Sequence, residues 1–130
     1  MVRAGDGSSS RGTIGNVTTS FAERVRQLVL SFPEAYEDAP WGFPAFKVAG
    51  NRLFGWMIER EDALDVTAKL SPEELEVAFL LPYARPASHL GRDGWVTASV
   101  KDEESLEAAL EWLRESYWLR APAALRNAVE

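Results

Sequence analysis

YEDAPWGFPAFKVAGNRLFGWMI, residues 36–58, is the stretch on whose reading the fold turns. It opens with an aromatic elbow punctuated by Pro and Gly, Pro40-Trp41-Gly42-Phe43-Pro44, and continues as two short apolar runs separated by Gly50-Asn51. Two-residue turns that match strand twist need positive φ at one or both centres, which Gly adopts freely and Asn better than most residues. The pair therefore predicts a β-hairpin tip. In the first strand, residues 45–49, Phe46 and Val48 alternate with Lys47; in the second, residues 52–58, Leu53 and Met57 oppose Phe54, Trp56 and Ile58. Both faces of the second strand are thus apolar, which suits an inner strand covered on one side and partly on the other, and equally suits a binding surface.

Downstream, Leu64, Val66, Ala68 and Leu70 alternate with Asp65, Thr67 and Lys69, the pattern of a sheet wet on one side. Residues 59–62 are the connecting turn. Ser71-Pro72-Glu73-Glu74 is a helix start, with a capping Ser, Pro at the first helical position and carboxylates near the positive end of the helix dipole. That helix runs to about Phe79 or Leu80. Residues 82–93 read as a loop carrying Tyr83, Arg85, His89, Gly91 and Arg92, followed by a fourth strand over residues 94–100. Asp102 caps a long helix whose apolar stripe is Leu106, Ala109, Leu110, Leu113 and Tyr117, and Pro122 stops it. Upstream, Ser20 and Glu23 have capping-box spacing, which predicts a first helix from Ser20 to about Ser31 with Phe21, Val25, Leu28 and Val29 inward. Residues 34–38 read as an acidic link. The expectation is a single α+β domain over residues 18–122, an antiparallel sheet with helices packed on one face. Residues 1–17, rich in Gly and Ser, read as a disordered tail, and residues 123–130 as a C-terminal tail.

At 130 residues the chain can bury a sufficient core without staples, and it has no Cys, so disulfides, thiolate metal sites and a cysteine nucleophile are excluded. No apolar run approaches the ~20 residues of a transmembrane helix and the N-terminus has no signal-like apolar segment, so a cytoplasmic protein away from the membrane is expected. The formal charge is −6, from 14 Lys+Arg against 20 Asp+Glu. As a whole such a field repels phosphate backbones, and only a local basic surface can reverse that.

Catalytic signals are sparse. His89 has no companion at metal-ligand spacing, and no nucleophile elbow, P-loop or dinucleotide fingerprint occurs, so no enzyme, cofactor or metal is expected. Glu107, Glu111 and Glu115 share one helix face and read as a solvated surface rather than a cation site. Lys47, Arg52, Arg60, Lys69, Arg85 and Arg92 are interleaved with Trp41, Phe43, Trp56 and Tyr83. Such interleaving can hold nucleic acid by stacking and phosphate contact, and ordinary solubility charges around core aromatics give the same pattern.

Three segments together resemble the YjbR/MmcQ family, a double-wing DNA-binding family with a CyaY-like fold: PWGFPAFKV (residues 40–48), HLGRDGWV (residues 89–96) and SYWLRAP (residues 116–122). The resemblance implies a sheet with helices on one face, a structural role for Trp41, Gly42, Pro44, Phe46, Gly91, Gly94, Trp95 and Tyr117, and DNA as a ligand. Phosphate contacts are then expected from Lys47, Arg52, Lys69 and Arg92, with Trp56 or Phe43 against a groove or an unstacked base. Two departures stand out: Phe43 where the family is expected to carry a polar or basic residue, and Arg120 where it carries an apolar one. The frataxin-like relation also raises iron binding, but the first helix lacks an acidic ridge, since Glu23 is opposed by Arg24 and Arg26. The resulting expectation is a non-enzymatic binding module, monomer or weak dimer, whose ligand is DNA. A protein-interaction module using the aromatics of residues 41–58 is the alternative, and a small-molecule or enzymatic pocket near Tyr83, His89 and Arg92 is the third reading.

Overall fold

The computed structural model describes residues 14–88 and 94–129. In chain order the elements are α1 (Ile14–Val29), β1 (Ala35–Asp38), β2 (Ala45–Val48), β3 (Arg52–Glu59), β4 (Leu64–Lys69), α2 (Pro72–Ala78), β5 (Ala84–Pro86), β6 (Trp95–Val100), α3 (Glu103–Arg120) and α4 (Ala123–Val129). The strands form one antiparallel sheet in the order β1-β2-β3-β4-β6-β5. Apolar side chains of α1 and α3 join those of one sheet face in a single core, with Phe46, Phe54, Met57, Leu64, Leu106, Leu113 and Tyr117 among the fully buried residues. The α+β architecture with helices on one face is the one expected.

The four inner strands lie where alternation places them, and two edge strands come in addition. Residues 35–38, read as a link, are β1, and residues 84–86, read as loop, are β5. Each has one ladder neighbour and only three or four residues, too few for alternation to register. The hairpin forms as expected, but its loop has three residues, because Val48 pairs with Arg52 and Ala49, Gly50 and Asn51 all have positive φ. Helix α1 begins at Ile14, so Ser20 lies inside it and caps nothing. Extending a helix past a Ser adds a backbone bond per residue at little propensity cost, and a capping spacing alone does not force a start.

At the other termini the caps hold as read. Ser71 Oγ accepts from the Glu74 amide, and Asp102 accepts from the Ser105 amide in a reciprocal box with the Ser105 hydroxyl. Residues 123–129, read as a tail, form α4: Pro122 ends α3, and its carbonyl accepts from the Leu125 and Arg126 amides. Leu125 packs on the core and the Arg126 guanidinium lies 5.7 Å from the centre of the Trp118 ring.

Register corrects one further expectation. Phe46 pairs with Gly55 and Lys47 with Leu53, which leaves Phe54 without a partner on β2: a β-bulge. The extra residue breaks strict alternation, so Phe54 and Met57 both enter the core while Leu53, Trp56 and Ile58 share the opposite face. α3 passes close at this point. A Cβ on Gly55 would stand 2.7 Å from Leu113 Cδ2 and 3.0 Å from the Thr67 carbonyl oxygen.

Candidate functional site

Cross-strand partners share a face, so the ladders define what the helix-free side of the sheet carries. From one edge to the other it presents Tyr36 and Asp38 (β1), Ala45 and Lys47 (β2), Leu53, Trp56 and Ile58 (β3), Asp65, Thr67 and Lys69 (β4), Trp95, Thr97 and Ser99 (β6) and Arg85 (β5). Two groupings emerge on it, one aromatic and one polar.

The aromatic group is built by the elbow. Gly42 at φ 88° turns the chain between two large rings, and the Met57 amide donates to the Pro44 carbonyl, holding the elbow against β3. Trp41 then stands 5.7 Å from Phe43 and 6.5 Å from Trp56, and Trp56 stands 5.3 Å from Trp95. Trp41 is 56% exposed, Phe43 and Trp56 are partly exposed, and Trp95 is buried beneath them with the Lys69 ammonium 5.8 Å from its ring centre. Gly94 is required here: at φ 94°, a Cβ would lie 3.1 Å from Lys69 Nζ and 3.3 Å from the Leu70 carbonyl oxygen.

The polar group centres on Asp65, 6% exposed. Arg60 Nε and Arg85 Nη2 both donate to its Oδ2, at 3.0 and 2.8 Å, and Arg85 Nη1 donates to Ser99 Oγ at 2.6 Å. A buried Thr67–Thr97 hydroxyl pair at 2.7 Å lies beside it. One carboxylate therefore serves two guanidiniums and leaves positive charge in surplus. On this face Lys47, Arg60, Lys69 and Arg85 outnumber Asp38 and Asp65, the reverse of the chain as a whole. Many of the acidic residues lie instead on the helices, at Glu73, Glu74 and Glu76 of α2 and Glu103, Glu104, Glu107, Glu111 and Glu115 of α3, while Glu59, Glu61 and Asp62 flank Arg60 at the end of β3 and in the turn after it. Among the described residues no three acidic or His side chains are grouped to hold a metal ion.

Of the four cations expected to contact phosphate, Lys69 lies on this face beside exposed aromatics. Lys47 is on the same face but only 8% exposed, with its ammonium 3.0 Å from Asp38 Oδ2. The Lys47 hydrogen bond, helped by the Ala39 amide, holds the Asp38 carboxyl below the usual carboxylate range. Arg52 points to the opposite face, where Nη1 donates to the Arg120 carbonyl at the C-terminus of α3. The bulge is what separates it from Trp56. Arg92, with His89 and Gly91, lies outside the described residues. Arg60 and Arg85 stand on the helix-free face, and their placement beside Asp65 depends on ladder register that spacing in the sequence does not encode.

The residues expected to be structural divide. Phe46 and Tyr117 are in the core, and the Tyr117 hydroxyl donates to the Pro33 carbonyl at 2.8 Å. Burial, then the charge of Glu34, raises the pKa of that hydroxyl. Trp41 is a surface residue. The two departures also find roles: Phe43 backs Trp41, and Arg120 Nε donates to the Leu53 carbonyl at 2.9 Å beside the bulge.

The sequence profile of the YjbR family matches residues 30–119. The chain belongs to the YjbR family. Its fold agrees: a Deinococcus radiodurans protein, DR2400, with a DUF419 domain, superposes with a TM-score of 0.69 at 25% identity, over 83% of this chain and 86% of that one. A Pseudomonas syringae protein shares the fold with a TM-score of 0.57 at 14% identity, over 76% of this chain and 97% of its own. No curated protein matches the sequence. YjbR membership carries no specific function, and YjbR is not a known enzyme family. No described helix is long and apolar enough to cross a membrane.

Proposed function

We propose that this YjbR chain is a non-enzymatic binding module that takes single-stranded nucleic acid on the helix-free face of its sheet. One observation carries the reading: exposed Trp41, with Phe43 and Trp56 behind it, shares that face with Lys69, Arg60 and Arg85, while many of the acidic residues lie on the helices. A base needs a ring to stack on and its phosphate a cation nearby, and stacking demands a strand whose bases are unpaired. Lys69 is the cation beside the aromatics, and Arg60 and Arg85 continue the positive track across the sheet.

Fluorescence anisotropy of a labelled single strand and a labelled duplex, each across a salt series, tests this. The expected result is tighter binding of the single strand, with a log-log salt slope of about −2 if three cations each neutralise one phosphate. Trp41→Ala should weaken binding about tenfold, the scale of one lost stacking contact. A single strand that fails to bind at low salt would overturn the proposal. Binding of a protein partner through Trp41 and the partly exposed aromatics is the competing reading, and salt-insensitive capture lost in the same variant would establish it.

A further inference from the structure

Beside β5, at the end of the helix-free face away from Trp41, lies a cleft of about 320 Å³ lined by Pro82, Tyr83, Ala84, Arg85, Ser99 and Lys101. Its volume is at the lower end of small-molecule sites. Arg85 enters it already oriented, because Nη2 is bonded to the buried Asp65 carboxylate and Nη1 to Ser99 Oγ. A guanidinium fixed in this way loses little freedom on binding a ligand. A guanidinium has five N–H donors. Two serve Asp65 and Ser99, and the other three have no partner among the described residues. Exposed Lys101, which also lines the cleft, likewise has no side-chain partner among them. Asp65 does not neutralise the site, since it is shared with Arg60.

From the oriented Arg85, the unpartnered Lys101 and the shared carboxylate, we infer that this cleft binds a small molecule through a single oxyanion group, a phosphate monoester or carboxylate. Arg85 supplies a directed donor pair and Lys101 a mobile point charge, the two complementary ways in which proteins hold such anions. The Tyr83 ring and Pro82 form the apolar wall on which the rest of the ligand packs. Size is limited by charge. Asp102 and Glu104 act on the Tyr83 hydroxyl, whose pKa is raised first by burial and then by these two carboxylates. Negative charge at that wall disfavours a ligand carrying several anionic groups. The cleft lies at the end of the face away from Trp41, shares only Arg85 with the proposed strand track, and does not rest on the stacking surface.

The test is a titration of the ¹⁵N-labelled protein with inorganic phosphate, followed by amide shifts against sodium chloride of matched ionic strength. Saturable shifts confined to Tyr83, Arg85, Ser99, Lys101 and their neighbours are expected. Arg85→Gln should raise the dissociation constant about tenfold or more and Lys101→Gln several-fold, as for loss of a charged partner. No saturation by about 10 mM phosphate, or saturation unchanged in both variants, overturns the site. Should Arg85→Gln lose its dispersed spectrum, Lys101→Gln decides alone, because Lys101 takes no part in the Asp65 network: several-fold weakening upholds the assignment and unchanged affinity ends it. Loss of single-strand binding in Trp41→Ala with phosphate binding intact would separate the two surfaces.

Discussion

Ser116 shows how much one hydroxyl can carry at a sheet defect. Where the β3–β4 ladder ends at Gly55 and Ala68, beside the β2–β3 bulge, Ser116 Oγ donates to the Phe54 carbonyl at 2.5 Å and accepts from the Lys69 amide at 3.0 Å. Both bonds are at a fully buried side chain, so the hydroxyl joins α3 to the sheet where backbone pairing lapses. Ser116→Ala should therefore cost about 2–3 kcal/mol, measured as a lowered urea midpoint, because buried backbone groups lose a partner that water cannot replace. Tyr117→Phe removes only the bond to Pro33 and leaves the ring packed between Phe32 and Phe54. Its cost should be nearer 1 kcal/mol. Equal losses in the two variants would contradict the bridging role. The Ser-Tyr pair was legible as a motif in the sequence. Its reason was not, since the hydroxyl answers a defect that lies 62 residues away along the chain.

At the scale of elements, the bulge and the α3 cap make different demands. Gly55→Ala should destabilise by about 1–3 kcal/mol, because its Cβ would meet both the fully buried Leu113 and the backbone of β4. Gly50→Ala meets open space and bears only the strain of φ 72°, so its cost should be about 1 kcal/mol. Asp102 links the α3 cap to pH. Its hydrogen bonds from the Ser105 hydroxyl and then the Ser105 amide hold its pKa below the ordinary carboxylate range. The unfolded chain thus takes up the proton first. The contribution of the cap is fully present above about pH 4 and is lost as pH falls through the lower folded value. Asp102→Asn keeps an N-cap acceptor and removes the titration. Urea midpoints for the two proteins should run parallel above pH 5 and converge in acid; a constant gap would show that Asp102 does not titrate with folding. The caps and the inner strands were readable because their signals are local. The edge strands and the facing of Phe54 were not, because pairing at an edge and a bulge both depend on a neighbour the chain reaches only after folding.

Across the whole molecule, charge is partly sorted by layer: a run of carboxylates along α2 and α3, and a surplus of cations among the strand residues of the helix-free face, with Glu59, Glu61 and Asp62 at the end of β3 and in the turn after it. A net charge of −6 hides this sorting, which is why composition counted against nucleic acid. Spacing likewise grouped Lys47, Arg52 and Lys69, whereas folding gave Lys47 to Asp38, turned Arg52 to the far side and left Lys69 by the aromatics. Sorting by layer makes the binding face testable by charge reversal on each side. Glu107→Lys with Glu111→Lys alters the helix side, whose influence must cross the thickness of the domain, well beyond the Debye length of about 8 Å at physiological salt. Its effect on single-strand affinity should be visible at low salt and vanish near 0.15 M, about that ionic strength. Lys69→Glu acts in contact, so it should weaken binding at every salt concentration and flatten the log-log slope by about 0.7, the share of one phosphate contact on a single strand. If the helix-side pair produced the larger and more persistent change, the strand would be running over the helices, and the aromatic face would lose its claim to the ligand.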